Sequence, residues 1–196
     1  IRDRYYSTPH IVNPAFTSLF HGDFRFFANA RNQWNSFMTN PYRTLSATFD
    51  MKLLATKNCD YVGLGFNFLA DKAGDLDFST IQGNLSLAYF KALDKNAYNY
   101  LSVGFQAGVA RRGLNVNPET DFLDVPEVIP TEDFVFYDVS AGLMWYAYPK
   151  QKNLYYLGGA IFHLNRGEQS HFAEKYGFSG QHELLYRRYV VHGGSQ

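Results

Sequence analysis

Apolar and polar residues alternate along most of this chain with a period of two, the pattern of strands with two unlike faces rather than of helices. In residues 43–53, Leu45, Ala47, Phe49, Met51 and Leu53 share one face, against Thr44, Ser46, Thr48, Asp50 and Lys52. Residues 61–70 set Val62, Leu64, Phe66 and Phe68 against Gly63, Gly65 and Asn67. Residues 79–90 set Ile81, Leu85, Leu87 and Tyr89 against Thr80, Gln82, Asn84 and Ser86. The rows over 98–110 are Leu101, Val103, Phe105, Ala107 and Val109 against Ser102, Gly104, Gln106 and Gly108. Those over 134–148 are Tyr137, Val139, Ala141, Leu143 and Trp145 against Asp138, Ser140, Gly142 and Met144. Less regular stretches predict an earlier strand near 22–31, a seventh over 154–164 and the start of an eighth at 184–192.

These stretches match the roughly 9–11 residues that a strand needs to cross a bilayer, and exceed the 5–6 typical of globular sheets. Their polar rows are Gly, Ser, Asn and Gln, with few Lys or Glu. That suits a wet or plugged lumen, whereas a soluble β-sandwich, the competing architecture, would turn a charged face to water. The connections alternate in length at the ends of the chain. Long segments at 32–42, 112–133 and 165–183 fall at odd positions, and tight ones at 55–60 and 149–153 at even positions. The expectation is a transmembrane antiparallel β-barrel of outer-membrane type. Residues 1–21 form a lead-in or plug and 22–196 the barrel, with the odd loops facing out and the even turns facing in.

Composition sharpens this picture. Aromatic residues make up 18% of the chain, with 15 Tyr and 18 Phe, as bands at two membrane interfaces would require. Tyr89, Phe90, Tyr98 and Tyr100 flank one even turn, and Trp145, Tyr146, Tyr148, Tyr155 and Tyr156 the next, as one girdle would have them. Lys+Arg and Asp+Glu are both 18, so the basic excess of a nucleic-acid binder is missing. No apolar run reaches the roughly 20 residues of a membrane helix. Cys59 is the single cysteine, which leaves no intrachain disulfide. The absence of a leader before Ile1 fits a signal already removed.

Candidate chemistry is sparse. None of the six histidines has a Cys or Glu neighbour at zinc-type spacing, and His163 reads as a strand-end residue bonded locally. Asp71, Asp75 and Asp77 around Gly74 lack the terminal bidentate Glu of a calcium loop, and fit a hairpin shaped by the glycine. No G-x-S-x-G elbow occurs, and no cofactor or catalytic residue is expected. Arg111-Arg112, at the mouth of the longest loop, and Arg187-Arg188 read as interface charge or as contacts to lipopolysaccharide or a partner. Asn13-Pro14 is either a stiff lead-in or a stretch that plugs the lumen or meets a periplasmic partner.

Six short motifs, in order, carry a family resemblance. His10-Ile11-Val12-Asn13-Pro14-Ala15-Phe16 resembles the I-N-P-A-Y opening of PorP/SprF-family proteins. Asn32-Gln33-Trp34, Pro41, Ser46 and Asp50 resemble R-x-Q-W…P…S-x-D. Val62-Gly63-Leu64-Gly65 with Asp71 and Gly74 resembles V-G-L-G…D-x-x-G, and residues 101–108 resemble L-S-x-G-x-Q-A-G. Asp138 with Ala141-Gly142 resembles D-x-S-A-G-L, and Gly158-Gly159 with His163-Leu164-Asn165 resembles G-G-x-x-x-H-L-N.

The resemblance implies a portion of a larger barrel, about fourteen strands, in the outer membrane of a Bacteroidota-like cell. It implies a part in type IX secretion and gliding motility. The implied work is to anchor a secreted surface protein, such as an adhesin with a C-terminal sorting domain, or to tether periplasmic machinery. Outer-membrane lipids are the other expected partner, and a passive porin or small-solute transporter is the alternative function. Loops on a rigid scaffold carry recognition. Arg112 and the aromatic-polar mix of His171, Phe172, Tyr176 and Phe178 are therefore the candidate partner contacts, with Asn13 and Pro14.

Overall fold

A computed structural model describes residues 11–20, 22–33, 41–56, 58–73, 78–113, 134–149, 153–167 and 184–195. It is all-β. Eight strands follow the alternating stretches: β1 (Phe24–Gln33), β2 (Tyr42–Ala55), β3 (Tyr61–Ala73), β4 (Phe78–Ala92), β5 (Asn99–Gly113), β6 (Phe134–Ala147), β7 (Tyr155–Phe162) and β8 (Arg188–Ser195). Each pairs antiparallel with the next in a single sheet of order β1 to β8. Among the described residues β1 and β8 do not pair, so the sheet is open. The eighth strand begins at Arg188, four residues later than the expectation at 184.

The register aligns the oily positions of all eight strands. One row runs Phe24–Met51–Leu64–Leu87–Phe105–Ala141–Ile161–Tyr189 without a polar interruption. A parallel row runs Phe26–Phe49–Phe66–Leu85–Ala107–Val139. Most of these side chains are exposed, Leu85 to 56%, as are Val103 at 36% and Leu143 at 51% on the same face. A two-sheet sandwich would have packed them together, and the described residues form a single sheet. Along β4 the exposed row from Ile81 to Tyr89 is about 27 Å long at strand rise, close to the ~25 Å apolar band of a membrane barrel. Near the bottom of β2 the register shifts between Lys52 and Leu54, and both Leu53 and Leu54 are exposed across the bulge.

The opposite face holds the buried residues. Thr48, Asn67, Asn84, Ser86, Ser102, Gln106 and Ser140 are all buried on it. The sheet curls around them. Tyr61 on β3 and Tyr146 on β6 stand three strand spacings apart, about 14 Å on a flat sheet, yet their hydroxyls lie 3.4 Å from each other. Side chains that stand upright from a sheet meet over that span when the face is concave.

Antiparallel succession puts the connections 56–60, 93–98 and 148–154 at one end and 34–41, 74–77, 114–133 and 163–187 at the other. The expected split of tight turns from long loops holds, except that 74–77 is short. The aromatic girdle is corrected by half. Tyr89, Trp145 and Tyr155 are exposed with the apolar rows, but Phe90 and Tyr146 are buried, and Tyr100, Tyr148 and Tyr156 pack with them on the concave side. A period of two sends neighbouring aromatics to opposite faces.

Candidate functional site

Across the concave face one cross-strand row is almost devoid of side chains. Gly63, Ala88, Gly104, Gly142 and Ala160 are consecutive partners on β3 to β7. Outward of this trough, toward the longer loops, lies a polar row containing Ser86, Gln106 and Ser140. On its other side, toward the tight turns, the rings gather. Tyr61 stacks on Phe90 at 4.2 Å and Tyr100 on Tyr146 at 5.0 Å, and Tyr61–Tyr100 and Phe90–Tyr146 meet edge to face. These are the arrangements that aromatic quadrupoles favour.

The N-terminal segment lies in the trough. Pro14–Phe16 form one 3-10 turn, begun by Asn13, whose side-chain oxygen accepts from the Ala15 N–H at 2.8 Å. Proline suits that start because its missing N–H would have no partner there. Asn13, Pro14, Ala15, Thr17 and Ser18 are buried. A Cβ on Gly142 would strike the Asn13 side chain, one on Gly104 the backbone of Pro14 and Ala15, and one on Gly63 the side chain of Ser18. The glycines are therefore the floor on which the segment rests.

Polar contacts attach it to strand after strand. Since the Asn13 oxygen is committed to Ala15, the amide nitrogen points at the sheet, which fixes the orientation of the group. That nitrogen donates to the carbonyls of Leu143 and Gly159, both at 3.2 Å, and lies 2.9 Å from His192 Nε2. It thus bridges β6, β7 and β8. On β5 the Ser102 hydroxyl donates to the Ala15 carbonyl at 2.8 Å. At the far end Ser18 donates to the Met51 carbonyl at 2.7 Å and lies 3.4 Å from that of Leu64. Ser18 has φ +64°, a left-handed conformation that costs a non-glycine residue about 1–3 kcal/mol and is held here by its surroundings.

The ends are held as well. Arg188 on β8 donates to the Ile11 carbonyl at 3.1 Å. The Phe20 ring sits under the cations of Arg25 on β1, at 4.8 Å, and Lys52 on β2, at 5.4 Å. Arg25 also pairs with the buried Asp50. Ten residues thus reach from β8 to β1.

Nearer the long loops the concave face carries a side-chain ladder. Asn67 donates to Thr48 at 3.1 Å, Asn84 to Asn67 at 3.4 Å and Gln82 to Asn84 at 3.1 Å. His163 Nδ1 lies 2.9 Å from Asp138, the local partner expected of a strand-end histidine. Asn165 donates to the Tyr137 carbonyl at 2.6 Å and accepts from the Val139 N–H at 3.2 Å, so its side chain continues the β6–β7 pairing past the end of β7. Among the described residues no cluster of His, Cys, Asp and Glu could hold a metal ion. Asp71 accepts from Thr44 at 2.6 Å, and Asp75 and Asp77 lie outside the described residues.

Of the candidate partner contacts, Asn13 and Pro14 come together in the trough. Arg112 lies apart from them, its guanidinium 5.3 Å from the Phe136 ring on the concave side, while Arg111 occupies the outward row with Ile81. The two arginines do not act as one basic pair. His171, Phe172, Tyr176 and Phe178 lie outside the described residues. Sequence reading singled out Asn13 and Pro14 but missed their partners. The discoverable signal was that Gly63, Gly104 and Gly142 all fall on inward positions of long strands.

Oily rows turned outward, a polar concave face and an internal segment across it define a wall of an antiparallel transmembrane β-barrel of outer-membrane type. Residues 2–196 match the family model described as type IX secretion system membrane protein PorP/SprF. The chain belongs to the PorP/SprF family and is a membrane component of the type IX secretion system. No curated protein and no solved structure matches it.

Proposed function

We propose that the chain is a non-enzymatic outer-membrane scaffold of the type IX secretion and gliding apparatus. It anchors a secreted surface protein, such as an adhesin with a C-terminal sorting domain, or tethers periplasmic machinery. The observation that carries this reading is the occupied concave face: the N-terminal segment fills the trough, and stacked rings pack between it and the tight turns. A barrel so obstructed is suited to holding a partner rather than to passing solutes. Residues 1–21 act as the lumen plug. The tight turns face the periplasm and the longer loops face out, where 112–133 and 165–183, with Arg112, His171, Phe172, Tyr176 and Phe178, form the partner surface. The family is one of secretion-system membrane proteins, and no catalytic role is assigned to this chain.

Pull-down of the tagged protein from native membranes tests the reading. Recovery of a large surface protein or of periplasmic components is expected, and recovery of the barrel alone would overturn it. Planar-bilayer recording separates the scaffold from a porin, since the scaffold is silent and a porin gives large stable currents.

A further inference from the structure

We propose that the trough floored by Gly63, Gly104 and Gly142 is a peptide-binding site. It is specific for an Asn-Pro-Ala-aromatic segment and is filled by this chain's own N-terminus as a detachable latch. The inference deepens the plug reading above and rests on it for the location of the segment in the lumen.

Each position of the segment is read by different chemistry. Asn13 is read by geometry, because its oxygen turns back to Ala15 while its nitrogen serves two strand carbonyls and His192. Aspartate would present an acceptor to those carbonyls, and alanine would leave them without the amide. Pro14 is read by shape, since it opens the 3-10 turn and lies over Gly104 and Gly142. Ala15 is wholly buried in the cluster with Ala88, Phe90, Met144 and Tyr146, which a larger side chain would have to displace. Phe16 is read by its ring, 4.8 Å from His192 and 6.2 Å from Tyr156.

The segment is not a ninth strand of the ladder. Each of its described hydrogen bonds to the wall has a side chain as a partner, with Asn13 and Ser18 donating to strand carbonyls and Ser102 and Arg188 donating to carbonyls of the segment, so it can leave without unzipping a strand pair. Its contacts nevertheless join β2 and β3 at one end to β6, β7 and β8 at the other. Seated, it sets the curl of the wall; released, it frees the trough for a peptide of the same chemistry.

Hydrogen exchange on the full chain in lipid tests detachment. In the native protein the Ala15, Phe16 and Thr17 amides are bonded within the turn and should exchange slowly. In Gly142→Ala, and separately in Asn13→Ala, we expect them to exchange at least tenfold faster while β4 and β5 keep their protection. Unchanged exchange in both variants, or loss of strand protection together with the segment, would overturn the latch. Recognition is tested with a labelled peptide of residues 9–20. It should bind the Asn13→Ala chain saturably and at least tenfold more tightly than the same peptide carrying Asn13→Asp, and Gly142→Ala added to that chain should abolish binding. Equal binding of the two peptides, or none, overturns the specificity. Saturable binding alongside bilayer currents in the native chain would leave the recognition standing and remove the plug.

Discussion

Asn13 concentrates the energetics of the trough in one side chain. Its amide serves acceptors on three strands in a buried setting, where stranding buried polar groups costs about 1–3 kcal/mol. Asn13→Ala is expected to destabilise the chain by about 2 kcal/mol, read as a lower urea midpoint for folding in lipid vesicles. A change within error would mean that the amide contacts carry no weight. Gly104→Val tests the floor beneath it. The added carbons would collide with the backbone of Pro14 and Ala15, and overpacking of this kind costs about 1–3 kcal/mol. The same substitution at Gly83, where an added Cβ meets nothing within 4 Å, is expected to leave the midpoint nearly unchanged.

At the level of the strands, the two faces obey opposite rules. Leu85 lies midway along the exposed row of β4, and Leu85→Arg is expected to cost about 2–4 kcal/mol of folding free energy in a bilayer. A much smaller cost would place that row in water. The turn after β2 gives a pH test. Asp60 accepts from the Lys91 ammonium at 2.7 Å and from the Ala92 N–H at 2.9 Å, and these bonds hold its carboxyl below the usual carboxylate range. A lowered value adds stability that is complete above the unfolded value, near 4, and fades as pH falls through the folded value. Melting of Asp60→Asn against the native chain should therefore show a constant gap from about pH 5 to 8 that closes below about pH 4. A gap that widens in acid would contradict this. These faces were legible in sequence because alternation over ten or more residues encodes them directly, as with Leu85, Leu87 and Tyr89 against Asn84 and Ser86. The inward half of the aromatic belt was not. Clustering in sequence records closeness along the chain, whereas the register decides which of Tyr89 and Phe90 faces in.

On the scale of the molecule, the trough exists only once five strands are in register, because it is assembled from single residues of β3 to β7. No local window of sequence contains it, although Asn13 and Pro14 could be singled out and the family resemblance rested on the same stretch. The proposed function depends on the same long-range assembly, since an empty concave face would suit a channel. Removing residues 2–20 from a chain that folds normally is therefore expected to raise bilayer conductance, and silence after removal would show that the segment is not what blocks the lumen.

Scaffold, trough and plug all depend on which face of the sheet meets lipid. The most direct measurement is a scan of single bimane-labelled cysteines at positions 84 to 89, in a Cys59→Ser background, quenched by brominated lipid tails. Strong quenching at 85, 87 and 89 with little at 84, 86 and 88 is the predicted result. Quenching without alternation, or strongest at 84, 86 and 88, would contradict it.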